Sequence, residues 1–255
     1  PVECARAAQA MGYEVYAVGL LSGVDPELPA AVTEYADINV AKLGRIIDYL
    51  KKHGVTKVTA IGKVSKELLM NGRHELPDWR MVKLLLSLPD HKDDTLMLTF
   101  VAALKKEGIE LVDQTLLIRP LMPAAGTLTR RAPSENERRD MAFGFRMAKE
   151  IGRLDVGQTA VVKGMAVMAL EAIEGTDACI RRGGKLARGG AVVVKVAKPE
   201  QDRRFDVPAV GVTTVESMIE AGATALAIEA EHTLLVDRAQ TIALAEAHDI
   251  TIVAM

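Results

Sequence analysis

Short apolar runs alternate with helix-like segments along almost the whole chain, and this alternation restricts the fold more than any single motif does. PVECARAAQAMG (1–12) reads as a helix, with proline suited to the first turn and Gly12 to the stop. YEVYAVGL (13–20) reads as a strand, and AKLGRIIDYLKKHG (41–54) as a helix whose apolar residues at 43, 46, 47 and 50 share one face. VTKVTAIG (55–62) is a strand again. DDTLMLTFVAALKKEG (93–108) carries acids in its first turn, lysines in its last and a glycine stop, the charge order that a helix dipole favours. IELV then follows as a strand. This order predicts a parallel, Rossmann-like sheet in the first half.

LMPAAGTLTRRAPSENERRD (121–140) interrupts the pattern with prolines, glycine and polar residues, which places a domain joint there before the chain turns helical. Beyond residue 151, TAVVKGMAVMALEAIEG reads as two short strands about Gly164, with a helix starting near Thr176. AVVVKVA is a further strand. From residue 209 onward AVGVTT, a helix to Ala221, TALAIEA, a short HTLLV strand, a helix to His248 and ITIVAM restore the α/β alternation. The resulting division is an N-terminal Rossmann-like domain (1–125), a linker and connecting helix (126–150) and a C-terminal α/β domain (151–255), with a cleft between the two domains.

The charge balance, 32 basic against 34 acidic residues for a net −2, excludes a protein that binds nucleic acid by blanket phosphate neutralisation. Cys4 and Cys179 are too few for a disulfide framework or a cysteine-based zinc site, which points to a reducing cytoplasm. No uncharged apolar run approaches the roughly 20 residues of a membrane-spanning helix. No signal peptide opens the chain, and it begins on a helix without methionine.

Several motifs in order carry a family resemblance. GRLDVGQ (152–158), EAIEGTDACIRR (171–182), VKVAKPEQDRRFDVPAVG (194–211) and ALAIEAEHTLLVDR (225–238) closely resemble the LpxI-type UDP-2,3-diacylglucosamine pyrophosphatases, and GKVSKELL (62–69), KDDTLM (92–97) and the 121–140 segment are similar to family text. The resemblance implies an enzyme of lipid A synthesis. Its implied reaction is attack of water on the sugar-side phosphorus of a lipid-linked nucleotide sugar, giving UMP and 2,3-diacylglucosamine 1-phosphate with the help of Mg²⁺ or Mn²⁺. The implied setting is the cytoplasmic face of the inner membrane, with peripheral membrane contact and room for a homodimer. Family chains begin with a strand and a glycine-rich loop ahead of the residues that match PVE, so the N-terminal sheet is expected to lack its first strand.

Splitting a pyrophosphate requires clustered negative charge to be neutralised while a water is aligned, so acids beside lysines and arginines in loops are the residues to find. In the 195–211 stretch, Asp206 lies between Phe205 and a Val-Pro pair, on stiffened backbone, and occupies the position of the family's essential aspartate. It is the expected metal ligand or water-orienting group, against the simpler reading of a surface pair with Arg203 or Arg204. Lys195, inside an apolar run, is expected to act with it in catalysis. Lys198 and Arg204 are candidate phosphate contacts, and Gln201 a bridge to substrate or backbone.

The second loop, EAIEGTDAC, spaces Glu171, Glu174 and Asp177 at three-residue intervals around a glycine. Glu171 and Asp177 are candidates for substrate or metal contact, Asp177 with Asp206 forming the expected metal set. Thr176 is a substrate contact or a helix cap. Arg181, one turn past Asp177, is either a phosphate contact or a helix ion pair. Gln158 fits a polar contact at the head of a strand. Lys63 and Ser65, after the 55–62 strand, fall where open α/β sheets bind ligands and are assigned to the nucleotide side. Asp93 and Asp94 read as helix-capping acids first. The rival to the enzyme reading is a nucleotide-sugar or lipid-phosphate binding protein without turnover. A sugar-nucleotide enzyme of another reaction type is the third reading, and fold alone does not separate the three.

Overall fold

The computed structural model describes residues 1–21, 23–62, 76–88, 93–199, 202, 204 and 206–255. The chain divides into two compact units, Pro1–Ile118 with Arg203–Asp206, and Arg119–Asp202 with Val207–Met255.

In the first unit, α1 (Val2–Ala10) leads to β1 (Tyr16–Gly19), which pairs in parallel with β2 (Glu34–Asp37), Tyr16 opposite Glu34. α2 (Leu43–Lys52) buries Leu43, Ile46, Ile47 and Leu50, the four residues that periodicity places on one face. β3 (Lys57–Val58) is a fragment of the strand read over 55–62. α3 (Trp79–Leu86) and α4 (Asp93–Lys106) follow, and β4 (Glu110–Leu111) pairs in parallel with β3 before α5 (Thr115–Ile118). The strands are parallel as expected, but the described residues form two separate two-stranded sheets rather than one. Asp78 caps α3 by accepting from Met81 N at 2.9 Å, and its other oxygen takes Gly44 N at 2.7 Å, tying α3 to α2.

The second unit is built on one six-stranded sheet. β5 (Gly126–Thr127) precedes α6 (Glu135–Arg153), whose Ser134 and Glu137 close a capping box. β6 (Thr159–Lys163) and β7 (Ala166–Leu170) form a hairpin, followed by α7 (Thr176–Ala187) and β8 (Val192–Lys195). β9 (Ala209–Val210), α8 (Val212–Glu220), β10 (Ala225–Ile228), β11 (Leu234–Leu235), α9 (Arg238–Ala247) and β12 (Thr251–Ala254) complete it. The order across the sheet is β5-β12-β10-β8-β6-β7, with β8, β10 and β12 parallel and the other three antiparallel to their neighbours. β9 and β11 pair apart from it.

Both faces of this sheet are covered, which is why its strands read as continuous apolar runs. Val192, Val194, Ala225 and Ala227 pack under α6 with Met141 and Ala148, while Val193, Leu226, Ile228 and Ile252 pack under α7 and α8 with Ile180, Val215 and Met218. α6 thus belongs to the sheet's own core rather than to a free-standing connection. Its approach needs Gly144, where a Cβ would lie 2.7 Å from Val194 Cγ2. α7 needs Gly183 likewise, 2.5 Å from Val161 Cβ. Among the described residues no helix is long and apolar enough to cross a membrane.

Candidate active site

The three parallel strands end on one edge of the sheet, and strand register fixes which residues meet there. Lys195 closes β8 opposite Thr159 of β6 and beside Ile228, the last residue of β10. β7 runs back along β6 and delivers Glu171 to the same edge, where Glu171 N donates to Thr159 O at 2.9 Å. α7, α8 and α9 all start from this edge, so the positive ends of their dipoles point to it. Gly175 and Gly211, the residues before α7 and α8, offer no side-chain cap, which leaves first-turn amides for an anion.

Glu171 is the hub of this edge. It is 8% exposed; Oε1 accepts from the Thr176 hydroxyl at 3.1 Å and Oε2 from Gln158 N at 3.3 Å. The Thr159 hydroxyl lies 3.5 Å from that of Thr176, and Gln158 O accepts from Val196 N, so the network ties β6, β7, α7 and the end of β8 together. Gly157 makes the approach workable: a Cβ there would stand 2.2 Å from Glu171 O. The buried amide oxygen of Gln158 has no hydrogen-bond partner among the described residues, so a donor is missing at this spot.

Lys195 is 7% exposed and donates from Nζ to Ala209 O at 2.8 Å, anchoring the return of the charged loop to the end of β8. Lys198 donates to Asp155 at 2.7 Å. Beside them stands a pair that sequence reasoning did not single out. Glu229, the first residue beyond β10, accepts from Ala197 N at 2.8 Å and from Lys149 Nζ, which reaches over from α6 and also donates to Ala197 O at 2.9 Å. Glu229 N donates to Lys195 O at 3.2 Å. The segment from Lys195 to Lys198 is therefore held on both its carbonyl and amide sides. The signal for Glu229 was its place at the carboxyl end of ALAI; nothing local marks Lys149, 80 residues away.

The remaining expected residues separate into groups. Asp177 is half-buried in the first turn of α7. Arg181 donates to Glu220 of α8 at 2.5 Å on a half-exposed surface, a pair between two helices rather than the pair within α7 that its spacing from Asp177 suggests. Glu174 pairs with Arg182, which also donates to Leu170 O at 2.8 Å and so clamps the turn into α7. Burial pushes the Cys179 thiol up to about 12, which makes it inert as a nucleophile. Arg204 and Asp206 are both half-buried. Lys63, Ser65 and Gln201 lie outside the described residues.

Among the described residues no three or more Asp, Glu, His or Cys groups stand close enough to form a protein-only cation site. The donors are single carboxylates, and these fit Mg²⁺ or Mn²⁺, which take one or two carboxylate oxygens and complete their shell with phosphate oxygens and water.

The opposite edge of the sheet is built differently. A cavity of about 190 Å³ lies there among Thr129, Arg130, Arg131, Glu246, Asp249 and Ile250. Its charges are already matched. Arg130 pairs with Glu246 at 2.8 Å, and Arg131 grips both oxygens of Glu137 at 3.0 Å and Thr224 O at 2.6 Å. That edge is a structural lock, which leaves the carboxyl edge as the candidate site.

Fold and site together define a two-unit α/β protein with an anion-directed polar site at the carboxyl edge of its parallel strands. Residues 1–121 match the family model of the LpxI N-terminal domain, and residues 124–253 that of the LpxI C-terminal domain. Over 257 residues the chain is 34% identical to UDP-2,3-diacylglucosamine pyrophosphatase LpxI of Caulobacter vibrioides, covering 96% of this chain and 90% of that protein. The chain belongs to the LpxI family.

Proposed function

We propose that this chain hydrolyses the pyrophosphate bond of UDP-2,3-diacylglucosamine. The observation that carries the reading is the 34% identity, across 96% of the chain, to a pyrophosphatase named for that substrate. The carboxyl edge supports it chemically, with a buried ammonium, open helix N-termini and unused acceptor oxygen at one place.

In the proposed step, water oxygen adds to the sugar-side phosphorus, the bond from that phosphorus to the bridging oxygen breaks, and UMP departs with the bridging oxygen. The other product is 2,3-diacylglucosamine 1-phosphate, and one proton of the water is released. Lys195 and Lys198 meet the diphosphate charge, Lys198 exchanging its Asp155 partner for phosphate. The first-turn amides of α7 add to them. Gln158 Oε1 accepts from a substrate hydroxyl or N–H, and Glu171 holds Gln158 and Thr176 in place. Asp206 orients the water. Asp206 and Asp177 are the carboxylates that would be offered to a divalent ion, which would supply further charge neutralisation when bound.

The test is to incubate the purified chain with UDP-2,3-diacylglucosamine and Mg²⁺ or Mn²⁺ and to measure UMP. Release of UMP that chelation abolishes is the expected result. A folded chain that releases none overturns the reading, and substrate retention without UMP favours the binding-protein alternative.

A further inference from the structure

Helix α3 is apolar on two opposite sides. At about 100° per residue, Met81 and Leu84 point one way, and Trp79, Val82, Lys83 and Leu86 fall within an arc of roughly 100° on the other. Met81 and Leu84 are 2% and 5% exposed and sit in the core of the first unit. Trp79 and Leu86 are 77% and 80% exposed, and Leu76, just ahead of the helix, is 82% exposed. A surface helix normally turns charged residues to water on this side. Here the chain places its single tryptophan and a leucine there, with one lysine between them.

Among the described residues the charges around this stripe are mainly basic. Lys83 lies within it, where a long stem can lie along apolar surface while the ammonium stays in water. Arg80 flanks it, and Lys42 donates to Leu76 O at 2.7 Å. Lys51 and Arg80 converge on Glu107, beside Lys105 and Lys106 at the end of α4. Among the described residues the carboxylates nearby are engaged: Glu107 in these two ion pairs, and Asp78 in capping α3 and holding Gly44. A tryptophan, leucines and a snorkelling lysine within a basic surround match the interface of an anionic lipid bilayer in both polarity and charge.

We propose that this stripe, Leu76, Trp79, Val82, Lys83 and Leu86, is a docking face that seats the protein on an anionic bilayer. The choice of a bilayer as occupant rests on the lipid-linked substrate of the proposed function; the exposed apolar stripe and its basic surround do not. The face brings the enzyme to the surface from which a diacylated substrate must be taken.

Because Trp79 is the only tryptophan, its fluorescence reports this face alone. The full chain is mixed with phosphatidylcholine vesicles with and without phosphatidylglycerol, and with brominated-chain versions of both. The expected result is a blue shift, bromine quenching and co-sedimentation with the anionic vesicles, reversed by salt. Leu86→Asp should weaken this partitioning by about tenfold or more, and Lys83→Glu should also weaken it. Turnover of detergent-dispersed substrate by Leu86→Asp should stay at the parent level. Unshifted, unquenched emission with no co-sedimentation overturns the proposal. So does burial of Trp79 by self-association without lipid, which would assign the face to a second copy of the chain. Vesicle binding by a chain that releases no UMP would sink the proposed reaction and leave this face standing.

Discussion

Lys149 Nζ lies 2.6 Å from Glu229 Oε2, and both residues also hold Ala197, Glu229 through its amide and Lys149 through its carbonyl. The pair links helix α6 to the end of β10 and fixes the backbone between Lys195 and Lys198. Lys149→Met should cost about 1–3 kcal/mol, because Glu229 is left largely buried without its counter-charge. Glu229→Ala frees the Ala197 amide and should lower turnover roughly tenfold or more by displacing the two lysines. Glu229→Gln keeps an acceptor for Ala197 and should lie between Glu229→Ala and the parent. Melting curves and UMP release on the same preparations check this, and parent-level turnover in Glu229→Ala would remove the pair from the positioning role.

Asp206 carries the proposed water-orienting and metal-holding role. Asp206→Asn keeps size and hydrogen-bonding capacity but loses the charge, so turnover should fall by about two orders of magnitude while substrate still binds. Half-buried as it is, the residue should tolerate the change with little shift in melting temperature. Normal UMP release from this variant would return Asp206 to an ordinary surface charge.

Glu137 gives the second unit an acid limit. Burial pushes its carboxyl up, but two Arg131 bonds, the Ser134 amide and hydroxyl, and Thr224 bring it down to about 2 from an ordinary 4.5. A folded value below the unfolded one means that the stabilisation is complete above about pH 5 and is lost as pH falls toward 2. Its size is about 3 kcal/mol. The urea midpoint should therefore drop between pH 5 and pH 3 in the parent. Glu137→Gln should be weaker at neutral pH and show a flatter acid limb; parallel profiles would count against the assignment.

Much of this architecture is visible in sequence because the parallel strands β8, β10 and β12 of the second unit are buried along almost their whole length and must be apolar throughout. VVVK, ALAI and TIVA declare themselves for that reason. β5 does not: two residues in a Pro- and Gly-rich stretch join the sheet edge through pairing with Val253 and Ala254, a contact with no local signature. α3 is equally silent, since apolar residues on both sides erase the helical period. At the site, Lys195 is legible as a charge within an apolar run, and Glu171, Gln158 and Thr176 as polar residues at strand and helix ends. Lys149 looks like any solvated residue of an amphipathic helix, because its partner arrives from 80 positions further along.

The hairpin turn Gly164–Met165 depends on a carboxylate from α6. Both residues have left-handed backbone, φ 59° and 58°, and Met165 adopts it against its own side chain. Asp140, 6% exposed, accepts from Gly164 N at 2.8 Å and from Met165 N at 2.5 Å. Asp140→Ala should destabilise the second unit by about 1–3 kcal/mol, as it strands two turn amides. Asp140→Asn keeps one acceptor and should recover part of this. Met165→Gly should raise stability by relieving the left-handed strain, by up to about 1 kcal/mol. Denaturant midpoints of the three variants measure the effect, and an unchanged midpoint for Asp140→Ala would show that water serves the turn equally well.

Gly157 separates packing from chemistry most sharply. A Cβ there would lie 2.2 Å from Glu171 O and 2.7 Å from its carbonyl carbon, and these are backbone atoms that cannot swing aside. Gly157→Ala must push β7's exit away from the head of β6, which stretches the Glu171 bonds to Gln158 N and the Thr176 hydroxyl. The stability cost should be about 1–3 kcal/mol, as for other overpacked sites. Turnover should fall by more than that loss of folded protein accounts for, because the displaced group is the hub of the edge proposed to face the substrate. Gly152 offers the control. A Cβ there meets its nearest neighbours only at 3.4 Å, so Gly152→Ala should leave UMP release near the parent level. If Gly157→Ala also turned over normally when folded, Glu171 and its partners would be framework rather than part of the site.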